Sequence, residues 1–454
     1  MFRQFLSLTV SAPEAASVIE GDSGHIHTRS TLLARAGELA VQLTSSGLRA
    51  RDGVAIQLPN SVDFLATILA ASQLDLVVVP IDRDATESEV ATILTHFSIK
   101  GLVYRSDVRS RTAAISTREI TERPAVPADA RLIKLTSGST GMPKGIVVTE
   151  ANLAADSANI CSTMGITAAD LNLGAIPFSH SYGFSNLVMP LLLQGTAVVV
   201  SNDYLPQSIV DLCNRFGCTV APLIPMVYDH LTTVPRGDGE FTTLRTFISA
   251  GAPLPAATSK KFRERFGIDI HTFYGCSECG GITYDRAGGS VERGTVGGAL
   301  NGVTLTGNGT RLRVRSGSVA CGYLVDAATF VAFENSTFQT DDLIELREDE
   351  VAITGRSSDL INIAGKKVNP REVEAVIAQM DGVRQVKVYG APAGARGEVV
   401  AAAIVGTPNV TREQVREFCR ERLSLHKVPR IVKLIEAIPV DERGKVKRAA
   451  LALL

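Results

Sequence analysis

Hydrophobic positions along this chain keep two rhythms. Runs of β-branched and aliphatic residues at 54–58, 76–80 and 197–201 show no polar alternation, which predicts strands covered on both faces, the habit of parallel sheets. Helical periodicity lies between them. Asn60 and Ser61 are good caps, and Phe64, Leu65, Ile68 and Leu69 follow at the spacing of one helical face. Strands alternating with helices predict an α/β fold in which parallel-rich sheets are flanked by helices. After Arg356 the pattern shortens to an α+β texture. Asn369 and Pro370 form a cap and first turn ahead of Val373, Val376, Ile377 and Met380, and Thr411 with Gln414 forms a capping box ahead of Val415, Phe418, Cys419 and Leu423. The expected organisation is a large domain over residues 1–357 and a small α+β domain over 358–454, with no internal repeat or low-complexity segment.

At 454 residues the chain exceeds the roughly 250–300 residues at which single cores stop growing, in keeping with more than one domain. Hydrophobic residues make up 45% and charged residues 20%, and no apolar run approaches the ~18 residues of a membrane span. The first ten residues show no cleavage site of small residues, so the expectation is a soluble protein with a cytoplasmic address. Seven scattered cysteines fit reduced thiols better than a disulfide framework. Cys276 and Cys279 have C-x-x-C spacing, but no second Cys/His pair matches it, which disfavours zinc. The net charge of −1 gives no reason to expect nucleic acid, yet it is unevenly spread. Residues 359–454 hold 17 Lys and Arg against 11 Asp and Glu, so the small domain is basic and the remainder acidic.

The most informative segment is Thr136-Ser137-Gly138-Ser139-Thr140-Gly141-Met142-Pro143-Lys144-Gly145, directly after an apolar run. Small residues let backbone N–H groups approach phosphate oxygens, hydroxyls donate further hydrogen bonds, and Lys144 adds a positive charge. The composition is that of a phosphate-gripping loop. It is not a Walker A loop, because Gly145 rather than Ser or Thr follows the lysine. Taken alone, such a turn is more commonly an ordinary surface loop.

This loop resembles the signature of the adenylate-forming superfamily, which comprises acyl-CoA synthetases, stand-alone adenylation domains and luciferases. Further blocks follow in family order. They are Pro177-Phe178-Ser179-His180-Ser181-Tyr182-Gly183, Ser249-Ala250-Gly251-Ala252-Pro253-Leu254, Tyr274-Gly275-Cys276-Ser277-Glu278, Thr340-Asp341-Asp342-Leu343, Gly355-Arg356-Ser357-Ser358-Asp359, Gly365-Lys366-Lys367-Val368 and Gly444-Lys445-Val446-Lys447-Arg448. The resemblance runs from about residue 18 to the end of the chain.

It implies ATP-dependent joining of a carboxylic acid to AMP with release of pyrophosphate, then transfer of the acyl group to coenzyme A. A carboxylate attacking the α-phosphorus of a polyanion needs cations to neutralise both partners. By similarity, Glu278 and Thr136 would hold Mg²⁺, with Ser137, Gly138, Ser139, Thr140, Gly141, Lys144 and Ser277 gripping phosphates. Ser277 stands where the family usually has Thr and keeps the hydroxyl. Phe273, Tyr274 and Gly275 with Gly251, Ala252 and Pro253 would hold adenine, the tyrosine ring stacking on it. Asp342 and Arg356 resemble the ribose-binding pair. Lys445 looks like the mobile catalytic lysine, bridging the substrate carboxylate and the α-phosphate. His180, Tyr182, Ala250 and Gly280 would line the acyl pocket, and Gly365 with Lys366 would meet coenzyme A.

The small domain would turn about a hinge at Ser358, where the family usually has Asp or Lys. Asp341 also departs from the pattern, replacing a Gly beside the ribose carboxylate. Amino-acid-activating relatives carry an aspartate in the block occupied here by residues 178–181, and none is present. A fatty, aryl or other simple acid is therefore expected rather than a free α-amino acid. Two other readings stay open. One is a stand-alone adenylation enzyme loading a carrier-protein phosphopantetheine; the other is a nucleotide-binding module that has lost its chemistry, suggested by Asp341 and Ser358.

Overall fold

The structure is a computed structural model describing all residues except 107–111, 137–142, 235–240, 308, 364–365, 393–397, 424, 441–449 and 452–454, and the side chains of 358, 362, 366–367 and 392. The described residues fall into two compact units. One comprises Met1–Leu305, Arg313–Phe338 and Asp349–Val351, the other Thr306–Leu312, Gln339–Glu348 and Ala352–Leu454.

The first unit is built on two large sheets. The nine-stranded sheet has the order Gly298–Ala299, Gly280–Tyr284, Ile270–Cys276, Thr246–Ser249, Val220–Leu223, Leu171–Gly174, Ala197–Val200, Ala16–Glu20, Ile26–Thr28. From Ile270–Cys276 to Ala16–Glu20 every neighbouring pair is parallel. The eight-stranded sheet runs Thr329–Ala332, Gly322–Asp326, Lys144–Thr149, Ala130–Thr136, Val77–Pro80, Gly53–Gln57, Gly101–Tyr104, Ala114–Thr117. Its parallel part is Ala130–Thr136, Val77–Pro80, Gly53–Gln57 and Gly101–Tyr104, and the middle two are the strands expected from the unbroken apolar runs. The edges of both sheets are antiparallel. The helix expected after Asn60 and Ser61 is Val62–Gln73, with the Ser61 hydroxyl accepting from the Phe64 N–H at 3.3 Å. The largest core joins Val18 and Val198 of one sheet to Val54 and Ile56 of the other through Phe64, Leu65 and Ile68 of this helix and Leu32, Leu39 and Leu43 of helix Arg29–Ser45.

A single buried side chain laces the two sheets together. Asn60 follows strand Gly53–Gln57, and its amide nitrogen lies 3.0 Å from the Gly174 carbonyl, 2.9 Å from that of Ile176 and 3.3 Å from that of Ser201. Its amide oxygen accepts from the Phe178 N–H at 2.8 Å, and its backbone exchanges hydrogen bonds with the Asn202 side chain, both at 3.0 Å. Backbone groups leaving the ends of strands Leu171–Gly174 and Ala197–Val200 are thus satisfied from the other sheet, as buried polar groups must be.

In the second unit a three-stranded sheet of Val383–Pro392, Glu398–Gly406 and Ile431–Leu434 carries helices Pro370–Ile377 and Arg412–Arg420. Both caps read from the sequence are formed. Asn369 Oδ1 accepts from the Arg371 N–H at 3.0 Å, and Thr411 and Gln414 close a reciprocal box. Val373, Ile377, Val388, Val400, Val415 and Cys419 share its core. Among the described residues no helix is long and apolar enough to cross a membrane.

Candidate active site at the carboxyl ends of the parallel strands

Strands Leu171–Gly174, Val220–Leu223, Thr246–Ser249 and Ile270–Cys276 are successive parallel neighbours, so their carboxyl ends emerge on one side. The chain order reverses at Leu171–Gly174. The next strand in sequence, Ala197–Val200, lies on one flank and Val220–Leu223 on the other. Open α/β sheets bind ligands at such a switch point. The segments leaving these ends include His180, Ser181 and Tyr182, then Ala250 to Pro253, then Tyr274 to Glu278.

The turn after Ile270–Cys276 is held from several sides. The Ala320 N–H donates to the Glu278 carbonyl at 2.8 Å, and Ser318 Oγ donates to the Cys279 carbonyl at 2.8 Å. Gly280 opens the return strand at φ +72°, where a Cβ would lie 2.2 Å from Asp156 Oδ1. Asp156 is buried on helix Glu150–Met164, and its carboxylate accepts from the Gly281 N–H at 2.9 Å and Ser185 Oγ at 2.6 Å. Cys276 and Cys279 are free thiols. Their mutual hydrogen bond, together with burial, pushes the Cys276 thiol well up. Among the described residues no group of three or more His, Cys, Asp or Glu could hold a metal.

Three sequence-distant pieces meet around one tyrosine. Thr136 and Lys144 face each other at the mouth of an antiparallel pair, with Thr136 Oγ1 3.5 Å from the Lys144 carbonyl. The Lys144 ammonium lies over the Tyr323 ring, 5.7 Å from its centroid. The Tyr323 hydroxyl donates to Glu278 Oε1 at 2.8 Å. Burial and the Glu278 carboxylate both push the Tyr323 phenol far up, so it remains a proton donor. A lone carboxylate and a hydroxyl from Thr136 are hard oxygen donors. They suit a cation such as Mg²⁺, which keeps waters and phosphate oxygens as its other ligands rather than a cage made of protein.

Beside this cluster, Ser181 Oγ donates to Ser277 Oγ at 2.8 Å, joining two of the blocks found in the sequence. His180 Nε2 lies 3.2 Å from Asp82 Oδ2, a residue just beyond strand Val77–Pro80 of the other sheet. Tyr182 is deeply set, its hydroxyl donating to the Ile248 carbonyl at 3.0 Å and lying 3.5 Å from that of Leu223. Burial pushes its phenol well up. Its ring centroid is 5.9 Å from that of Phe273, and with Ala250 both belong to one apolar cluster. Gly251 and Pro253 are exposed and Ala252 half-buried, a rim without bulk beside half-buried Tyr274. Gly275 is exposed where the register of the 270–276 strand shifts.

In the second unit, Arg356 Nε donates to Asp342 Oδ1 at 2.9 Å, so the expected ribose-binding residues are paired. Asp341 stands half-buried beside them. Ser137, Gly138, Ser139, Thr140, Gly141, Gly365 and Lys445 lie outside the described residues, as do the side chains of Ser358 and Lys366. The sequence carries no mark of Asp82, Asp156 or Tyr323 as site residues. Each reaches the site from far along the chain, and no spacing rule marks such a contact.

The family model for the AMP-binding enzyme matches residues 9–306, more than half of the chain, and that for the AMP-binding enzyme C-terminal domain matches residues 372–445. The chain belongs to the AMP-binding enzymes. Among curated AMP-binding relatives, a long-chain-fatty-acid–CoA ligase, FadD13, of Mycobacterium tuberculosis is 28% identical over 98% of this chain and 96% of its own. A feruloyl-CoA synthase of an Amycolatopsis species is 26% identical over 96% of this chain and 95% of its own. The crystal structure of ATP-bound MatB from Rhodopseudomonas palustris superposes with a TM-score of 0.84 at 25% identity, covering 100% of this chain and 98% of that one. The family match agrees with the resemblance read from the ordered blocks, and the mixed α/β fold with its small C-terminal domain is that of the neighbouring structures.

Proposed function

We propose that this AMP-binding enzyme activates a carboxylic acid with ATP and passes the acyl group to coenzyme A. In the first step a carboxylate oxygen attacks the α-phosphorus, the bond from that phosphorus to the bridging oxygen breaks, and pyrophosphate leaves. In the second, a thiolate sulfur attacks the acyl carbon, a C–S bond forms, and AMP leaves with the electron pair of the broken C–O bond. The observation carrying the reading is the meeting of Lys144, Tyr323 and Glu278. It draws Lys144 and the 274–278 turn together around one tyrosine.

In this reading Lys144 and the Ser277 hydroxyl hold phosphate oxygens, along with residues 137–141. Tyr274 stacks on adenine against the low rim of Gly251, Ala252 and Pro253, with Phe273 behind it and Gly275 giving clearance. Asp342, oriented by Arg356, takes the ribose hydroxyls. Glu278 and Thr136 would hold Mg²⁺, which when bound neutralises phosphate charge. Lys445 supplies the ammonium that offsets repulsion between carboxylate and α-phosphate. The acyl chain meets His180, Tyr182, Ala250 and Gly280. Residues 358–454 form the mobile small domain, with its hinge at Ser358, and Gly365 and Lys366 meet coenzyme A.

The named relatives act on acids as different as long-chain fatty acids and ferulate, so a panel of acids is the appropriate test. Pyrophosphate release is measured for each acid, with coenzyme A and a holo carrier protein offered separately as acceptors. The expected outcome is acid-dependent release and a coenzyme A thioester, with Lys445→Ala slowing adenylation about 10²-fold or more. ATP binding without turnover on any acid would overturn the proposal.

A further inference from the structure

We propose that Tyr323 is the positioning residue for the Glu278 carboxylate, fixing one of its oxygens so that the other is presented to the metal on the nucleotide phosphates. The inference rests on the assignment of Glu278 as a metal-holding residue.

A glutamate carboxylate on three rotatable bonds sweeps a wide arc, and a ligand must be oriented before it binds a cation of strict geometry. The backbone of the 277–279 turn is pinned by the Ala320 N–H and the Ser318 hydroxyl, but neither reaches the Glu278 carboxylate. Tyr323 does, through a 2.8 Å hydrogen bond to Oε1. The phenol has a single O–H, and donating it to Oε1 occupies one lone pair there while Oε2 keeps both of its own, so the two oxygens are no longer equivalent.

The tyrosine is itself held from three directions. Its strand, Gly322–Asp326, pairs with Lys144–Thr149, setting Tyr323 opposite Ile146. Its ring meets Phe333 edge-on with centroids 4.9 Å apart, and Phe338 lies behind at 6.3 Å. The Lys144 ammonium sits over its face, the geometry of a cation–π contact. One rigid ring therefore references a phosphate-seeking cation and a metal-seeking anion to the same point.

Tyr323→Phe keeps the ring, its aromatic neighbours and the face under Lys144, and removes only the hydroxyl that donates to Glu278. The test is titration calorimetry of ATP without any acid present, at a series of free Mg²⁺ concentrations and in EDTA, on wild type, Tyr323→Phe and Glu278→Gln. Loss of a hydrogen bond that orients a metal ligand typically weakens metal affinity about 10–100-fold. Tyr323→Phe is expected to raise the Mg²⁺ concentration at half-effect by that factor while leaving ATP affinity in EDTA and the melting temperature as in wild type. An unchanged Mg²⁺ midpoint in Tyr323→Phe beside a weakened one in Glu278→Gln would overturn the positioning role alone. Equal loss of ATP affinity with and without Mg²⁺ would do the same, marking the hydroxyl as a packing element. A wild-type midpoint in Glu278→Gln would instead remove the metal assignment on which the inference stands.

Discussion

Gly280 has no room for a methyl group. Its φ of +72° is in the left-handed region, and a Cβ would fall 2.2 Å from the Asp156 carboxylate that accepts the Gly281 N–H. Gly280→Ala is expected to cost about 2–4 kcal/mol, combining left-handed strain with overpacking, read as a lowered urea midpoint with an unchanged slope. From the sequence Gly280 is a small pocket residue, and the buried acid behind it cannot be seen. The same holds for Asp82 and Tyr323. Their partners, His180 and Glu278, stand 98 and 45 positions away. Phosphate-binding residues announce themselves because they are consecutive and chemically unusual, whereas a supporting tyrosine in an ordinary strand looks like any other.

Elements were legible where one physical cause dominates. Unbroken β-branched runs can only be satisfied by burial on both sides, so residues 54–58 and 76–80 declared parallel strands before any partner was known. The antiparallel edges gave no such signal, and neither did the π-helical turn at Phe184–Val188, where the chain leaves the switch point. Helix Glu150–Met164 shows how closely elements are coupled. Its cap, Thr149, is the last residue of strand Lys144–Thr149 and shares a reciprocal box with Asn152, its hydroxyl accepting from the Asn152 N–H at 3.1 Å. This helix in turn supplies Asp156 to the 280–281 backbone. Thr149→Ala is expected to destabilise the protein by about 1 kcal/mol in chemical denaturation, with hydrogen exchange quickening first at the amino end of the helix.

At the scale of the molecule, composition and length gave more than one domain and a basic carboxyl-terminal part. They did not show that segments 306–312 and 339–348 belong to the same compact unit as the chain after 352, because those segments carry the same β-rich texture as their neighbours. Asn60 is also a whole-molecule residue, since its amide answers carbonyls at 174, 176 and 201 together. Asn60→Asp turns those donors into an oxygen facing oxygens. A loss of about 3–5 kcal/mol is expected from leaving a buried charge unpaired, measured as a drop in denaturation midpoint for the cooperative transition.

That amide has a further consequence. Because Asn60 reaches from one sheet to three backbone carbonyls and one N–H of the other where the switch-point loops depart, slippage of one sheet past the other at that point would break several hydrogen bonds at once.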